Sequence, residues 1–130
     1  MKKIEKAAGF MKEHSELFQC PICKDSFDQV DGNSLSCING HLCDISKNGT
    51  LYFLLKGTKN AYDKDMLSSR FNIATAGLFH PLLDELYISI AEKQTGHTLD
   101  VGCGEGSQLD YLTTLGLQGQ KIGFDISKDA

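Results

Sequence analysis

Three features of this 130-residue chain predict an α/β fold with a small metal-stapled module at its front. Two close pairs of soft donors, Cys20-x2-Cys23 and Cys37-x3-His41, sit among short runs broken by tight-turn dipeptides. Two helical stretches follow, over residues 63–76 and 81–95. A glycine turn at 102–106 then joins one strand-like run to a helix, and a second strand-like run comes after it. The architecture read from this order is a zinc ribbon, a pair of helices, and the first strand–helix–strand unit of a Rossmann-like parallel sheet. Domain limits follow as an N-terminal extension at 1–18, the ribbon at 19–56, and the helices with the start of the sheet at 57–130.

Composition narrows the class. Hydrophobic residues make up 41%, ordinary for a globular protein. No run approaches the ~18–20 apolar residues of a membrane span. The basic start MKKIEKAAGF lacks the long apolar core and cleavage site of a signal peptide. An odd count of five cysteines, without a secretion signal, argues for reduced thiols in the cytoplasm rather than a disulfide framework. Residues 1–56 carry seven lysines against seven acids; residues 57–130 carry six basic residues against ten acids, so the net charge of −4 lies in the second part. Bulk charge therefore does not announce nucleic-acid binding, and any such contact must be local.

Along the chain, Ile4, Ala7, Ala8 and Met11 recur at helical spacing and predict a short helix ending near Ser15. From Phe18 to Leu55 the pairs Asp31-Gly32, Asn39-Gly40 and Asn48-Gly49 favour tight turns, so this stretch reads as a set of hairpins. Gly57 to Asn60 reads as a linker. Asp63 is placed to cap the next helix and Gly77 to stop it. Pro81 suits the first turn of the following helix, and Leu82, Leu83, Leu86, Tyr87, Ile90 and Ala91 are expected to build one apolar face, ending at Thr95-Gly96. Strands are expected at His97–Val101 and Lys121–Ile126, with a helix at Gln108–Leu115 between them.

The two donor pairs point to one tetrahedral Zn²⁺ held by Cys20, Cys23, Cys37 and His41. The Asn39-Gly40 turn supplies the tight loop that such a pair needs. Cys43 competes with His41 for the fourth position. Four protein ligands leave no open coordination site, so the expected role is structural, with metal binding supplying much of the folding free energy of a segment with little core.

Leu99-Asp100-Val101-Gly102-Cys103-Gly104-Glu105-Gly106 is the second informative run. Glycines let backbone approach a ligand closely, and the helix that follows offers N–H groups at its start. The dinucleotide fingerprint needs a third glycine one residue later, where Ser107 stands. Asp100 beneath the loop disfavours a pyrophosphate. Asp125, nineteen residues after Gly106, is placed to accept hydrogen bonds from ribose hydroxyls. Asp100, Gly102, Gly104, Gly106 and Asp125 together point to S-adenosylmethionine. Arg70 is open between an RNA or cofactor contact and an ion pair with Asp63 or Asp65.

These motifs occur in a recognisable order. Cys-Pro-x-Cys, Cys37 with His41, Asp44-Ile45, Asn48-Gly49, Tyr62-Asp63-Lys64, Arg70, Ala76-Gly77-Leu78-Phe79, Leu99–Gly106 and Phe124-Asp125-Ile126-Ser127-Lys128 resemble the 23S ribosomal RNA guanine-N1 methyltransferases. The branch most resembled is the Gram-positive one associated with macrolide resistance. The resemblance runs from about Phe18 to the end and implies the N-terminal portion of a class I methyltransferase. It implies Cys20, Cys23, Cys37 and His41 as zinc ligands, in a module that helps to recognise RNA. It implies Asp100, Gly102, Gly104, Glu105 and Gly106 as the cofactor loop, Asp125 as the ribose acid, and Phe79 beside the cofactor where relatives often carry Tyr. Relatives commonly have Phe at the Cys43 position, which favours packing there. The implied partner is a 23S rRNA hairpin near the peptide exit tunnel. The chain departs from its relatives at Asn48-Gly49-Thr50, where they read Glu-Gly-Tyr. With two strands of a larger sheet, the chain is expected to be a truncated enzyme with an open sheet edge, prone to homodimer formation and inactive alone. No residue stands out as the catalytic base.

Overall fold

In the computed structural model the described residues are 1–57, 59, 61–93 and 96–130. They form two compact units, Met1–Gly57 and Thr58–Ala130. The predicted linker therefore falls partly, and the predicted stop at Thr95 wholly, outside the described residues.

The first unit starts with helix α1, Lys3–Glu13, whose first turn is closed by Glu5 accepting the Lys2 backbone N–H at 2.8 Å. A single 3₁₀ turn follows at Ser15–Leu17. Strands β1 (Phe27–Asp31), β2 (Ser34–Cys37) and β3 (Leu42–Asp44) make an antiparallel sheet in sequential order. The β1–β2 hairpin closes through Gly32 at φ 58°, and β2 meets β3 with Leu35 opposite Cys43. Leu35 is fully buried, with Met11, Phe27, Cys43 and Ile45 around it. The predicted face of α1 (Ile4, Ala7, Ala8 and Met11) packs on this core. Gly49 passes so close to α1 that a Cβ there would lie 3.1 Å from the Lys3 carbonyl and 3.3 Å from Ala7 Cβ. Its φ of +87° also disfavours any side chain, so both space and backbone require glycine.

The second unit contains α2 (Lys64–Thr75), α3 (His80–Ala91), β4 (Thr98–Val101), α4 (Ser107–Thr114) and β5 (Lys121–Phe124). Asp63 caps α2 as predicted, accepting the Met66 N–H at 2.9 Å, and Gly77 leaves the helix end at φ +91°. Strands β4 and β5 are parallel, with Leu99 opposite Ile122 and Val101 opposite Phe124. Both are shorter than predicted.

The single apolar face predicted for α3 is split. Leu83 is buried with Leu112 and Leu117, and Phe79, Tyr87 and Ile90 pack against that cluster. Leu82 is 67% exposed and Leu86 43% exposed. Among the described residues α4 is the helix that packs most closely on α3, and that neighbour covers a narrower arc than the six apolar positions span. The exposed sheet face shows the same pattern, with Leu99, Val101 and Phe124 each more than half exposed. Among the described residues no helix is long and apolar enough to cross a membrane.

Candidate metal centre and ligand cavity

Each donor pair of the first unit sits on a tight turn. In the first, the Lys24 N–H returns to the Cys20 carbonyl at 3.0 Å, and Lys24 takes a left-handed φ of 68°. In the second, the Gly40 N–H donates to the Cys37 carbonyl at 2.8 Å, and Gly40 adopts φ 78°. The β2–β3 pairing and the short Gln19–Ser26 bridge bring the two turns face to face. As a result the side-chain donor atoms of Cys20, Cys23, Cys37 and His41 lie within 4.8 Å of one another. Cys23 Sγ is 3.6 Å from Cys37 Sγ, far beyond a disulfide. His41 Nδ1 is 3.4 Å from Cys37 Sγ and 3.7 Å from Cys20 Sγ. A tetrahedral Zn²⁺ with bonds of ~2.3 Å to sulfur and ~2.0 Å to nitrogen has donor–donor edges of roughly 3.5–3.8 Å. The donor chemistry and the spacing both fit that ion.

Asn39 Nδ2 donates to Asp25 Oδ2 at 2.5 Å, while the Asp25 carbonyl accepts from Cys20 N–H at 2.9 Å. These contacts tie one turn to the other, a second layer of support that spacing alone did not reveal. The Asn39 amide, and then the Asp25 backbone, hold the Cys23 thiol down to about 6. Burial pushes Cys37 up, and it does the same to Cys43. Cys43 points into the apolar core opposite Leu35 and is outside the four-donor group.

In the second unit, a cavity of about 360 Å³ opens beside the glycine turn. Gly102, Gly104 and Asp125 line it, with Tyr62, Leu67 and Arg70. Its size falls within the range of small-molecule sites, roughly 300–1,000 Å³. The turn is held in left-handed backbone at Gly102, Gly104 and Gly106, with φ of 81°, 57° and 85°. Asp125 braces it. One carboxylate oxygen accepts the Gly104 N–H at 2.9 Å and the other accepts the Ser127 N–H at 2.8 Å. Ser127 Oγ in turn donates to the Tyr62 carbonyl at 2.7 Å. Each carboxylate oxygen keeps a further lone pair for a ligand hydroxyl. An Asp-x-Ser turn is the sequence signal that would have disclosed this brace.

The N–H groups of the turn itself are largely taken up within the fold, which is separate from the expectation that the start of the following helix offers N–H groups. Gly102 and Cys103 N–H both donate to the Phe124 carbonyl, at 2.8 and 3.2 Å, and Gly106 N–H donates to Cys103 at 3.2 Å. These groups close the β4–β5 junction instead of facing the cavity.

The remaining predicted residues are placed elsewhere. Asp100 is half-buried on β4 opposite Gly123, off the cavity wall. There its charge adds to burial in pushing Cys103 up. Glu105 accepts from Ser107 Oγ, and Gly106 sits at the start of α4. Phe79 packs against the Leu83–Leu112 cluster. Arg70 forms no ion pair with Asp63 or Asp65. Among the described residues the ion pair formed is His14 with Glu16, at 3.6 Å in the first unit.

Over 122 residues, 87% of this chain, the sequence is 38% identical to the "Putative 23S rRNA (guanine-N(1)-)-methyltransferase YxjB" of Bacillus subtilis (strain 168). A 23S rRNA (guanine(748)-N(1))-methyltransferase of Streptomyces fradiae is 29% identical over 118 residues, 86% of the chain. The chain spans 43% and 41% of the lengths of these two relatives. No family model matches it. The relationship agrees with the family read from the ordered motifs.

Proposed function

We propose that this chain carries the zinc module and the cofactor-binding start of an S-adenosylmethionine-dependent 23S rRNA guanine-N1 methyltransferase. One observation carries the reading: the relationship to two such proteins extends over most of a chain that holds both a four-donor metal cluster and a glycine-lined cavity.

Cys20, Cys23, Cys37 and His41 would hold Zn²⁺ and so staple the two turns of the ribbon. A closed set of four ligands makes this a structural ion. In the second unit, Gly102 and Gly104 leave room for a nucleoside against backbone, and Asp125 would accept from its ribose hydroxyls. Asp100, Glu105 and Gly106 shape the turn, and Phe79 supports it through α3. S-adenosylmethionine supplies an electrophilic methyl group on a sulfonium when bound. The acceptor, guanine N1, lies on the Watson–Crick edge, so the base must be unpaired or flipped out to be reached. N1 carries a proton in neutral guanine, which a base must remove as the new bond forms. Rigid placement of the two partners lowers the remaining barrier.

The reading is tested in the host. Disruption of the gene should abolish a reverse-transcription stop at one guanine of 23S rRNA, since N1 methylation blocks pairing, and complementation should restore it. An unchanged stop pattern and an unchanged 1-methylguanine content of 23S rRNA would refute it.

A further inference from the structure

The cavity beside the glycine turn has one wall that the nucleoside reading does not use. Arg70 lines the cavity together with the acid Asp125 and is its one cation among the described residues. Its position follows from the helix. Leu67 is buried, and its side chain approaches within 3.8 Å of where a Cβ on Gly104 would stand. Arg70 lies three residues further on, so it shares that helix face. Arg70 is half-buried and pairs with no described carboxylate. An arginine oriented toward a cavity without a partner offers a planar fork of donors suited to a carboxylate.

The glycine turn offers few equivalents. Most of the turn's N–H groups are already committed, those of Gly102 and Cys103 to Phe124, of Gly104 to Asp125 and of Gly106 to Cys103. Among the side chains lining this cavity, Arg70 is the cationic donor for an anionic group. S-adenosylmethionine has such a group, the carboxylate of its amino-acid end, while its ribose end carries hydroxyls that suit Asp125.

We propose that Arg70 binds the cofactor's amino-acid carboxylate and so sets the direction in which the ligand lies in the cavity. This inference rests on the cofactor reading above. It excludes a role for Arg70 as an RNA phosphate contact.

The test compares two ligands by titration calorimetry on the 130-residue chain. S-adenosylhomocysteine carries the carboxylate; 5′-methylthioadenosine shares the adenosine and thioether but lacks the amino-acid end. Arg70→Met should weaken S-adenosylhomocysteine by about 10- to 100-fold, the size of a lost charge-assisted pair. Binding of 5′-methylthioadenosine should stay within about twofold, which also shows that the variant is folded, and Arg70→Lys should recover part of the loss. Equal weakening of both ligands, or unchanged S-adenosylhomocysteine affinity, would overturn the inference while leaving the cofactor site standing. Failure of the unsubstituted chain to bind either ligand would overturn the cofactor reading itself, and Arg70's role with it.

Discussion

The choice between His41 and Cys43 as the fourth metal ligand gives the sharpest quantitative prediction. His41 Nδ1 lies 3.4 and 3.7 Å from two of the cysteine sulfurs, whereas Cys43 is buried opposite Leu35 on the core side of β3. Structural Zn²⁺ sites of four ligands bind with roughly 10–16 kcal/mol at neutral pH. Shared evenly, each ligand accounts for ~2.5–4 kcal/mol of that. His41→Ala should therefore weaken zinc by roughly 60- to 700-fold, at 1.4 kcal/mol per tenfold. Cys43→Ala removes one small buried group and should leave zinc affinity within about threefold, at a stability cost of ~1 kcal/mol. Competition against a chromophoric zinc chelator measures both variants, and metal analysis of the reduced chain gives the stoichiometry. Loss of zinc from the Cys43 variant, or full affinity in the His41 variant, would show that the observed donor cluster is not the ligand set.

Other consequences can be measured directly. Leu35→Ala empties the centre of the first core and should cost about 2–5 kcal/mol by urea denaturation of the metal-loaded chain; a loss below ~1 kcal/mol would contradict its central place. Asp125→Ala strands the N–H groups of Gly104 and Ser127 at a half-buried site, a cost of about 1–3 kcal/mol. That should lower the melting temperature of the second unit by roughly 4–8 °C per kcal/mol and abolish adenosine binding, whereas unchanged melting would refute the brace. In the metal-free chain, Cys23 is thiolate above about pH 6, so iodoacetamide should modify it first, with a rate that rises through that pH. Its folded value lies below its ordinary 9.0, so its contribution to the stability of the metal-free unit is complete above pH 9 and lost as pH falls toward 6. Cys37 and Cys43, both pushed up by burial, should react more slowly, and zinc should protect Cys23.

Much of this protein is short-range and can be read from one dimension. The donor pairs, the Asp63 cap, the Gly77 stop, the α1 face and the glycine turn each depend on residues within a few positions of one another. Local sterics and hydrogen bonding dictate them whatever surrounds them. Tertiary structure decided what depends on distant neighbours. It put Cys43 in the core and His41 at the cluster, because strand pairing sets Cys43 opposite Leu35 while His41 stands before β3 on the turn that starts at Cys37. It split the apolar stripe of α3, because α4 covers only part of that face. It tied the Gly102 and Cys103 N–H groups to the carbonyl of Phe124, some twenty residues away, and it set Arg70 on the cavity wall because α2 buries Leu67 on the same helix face.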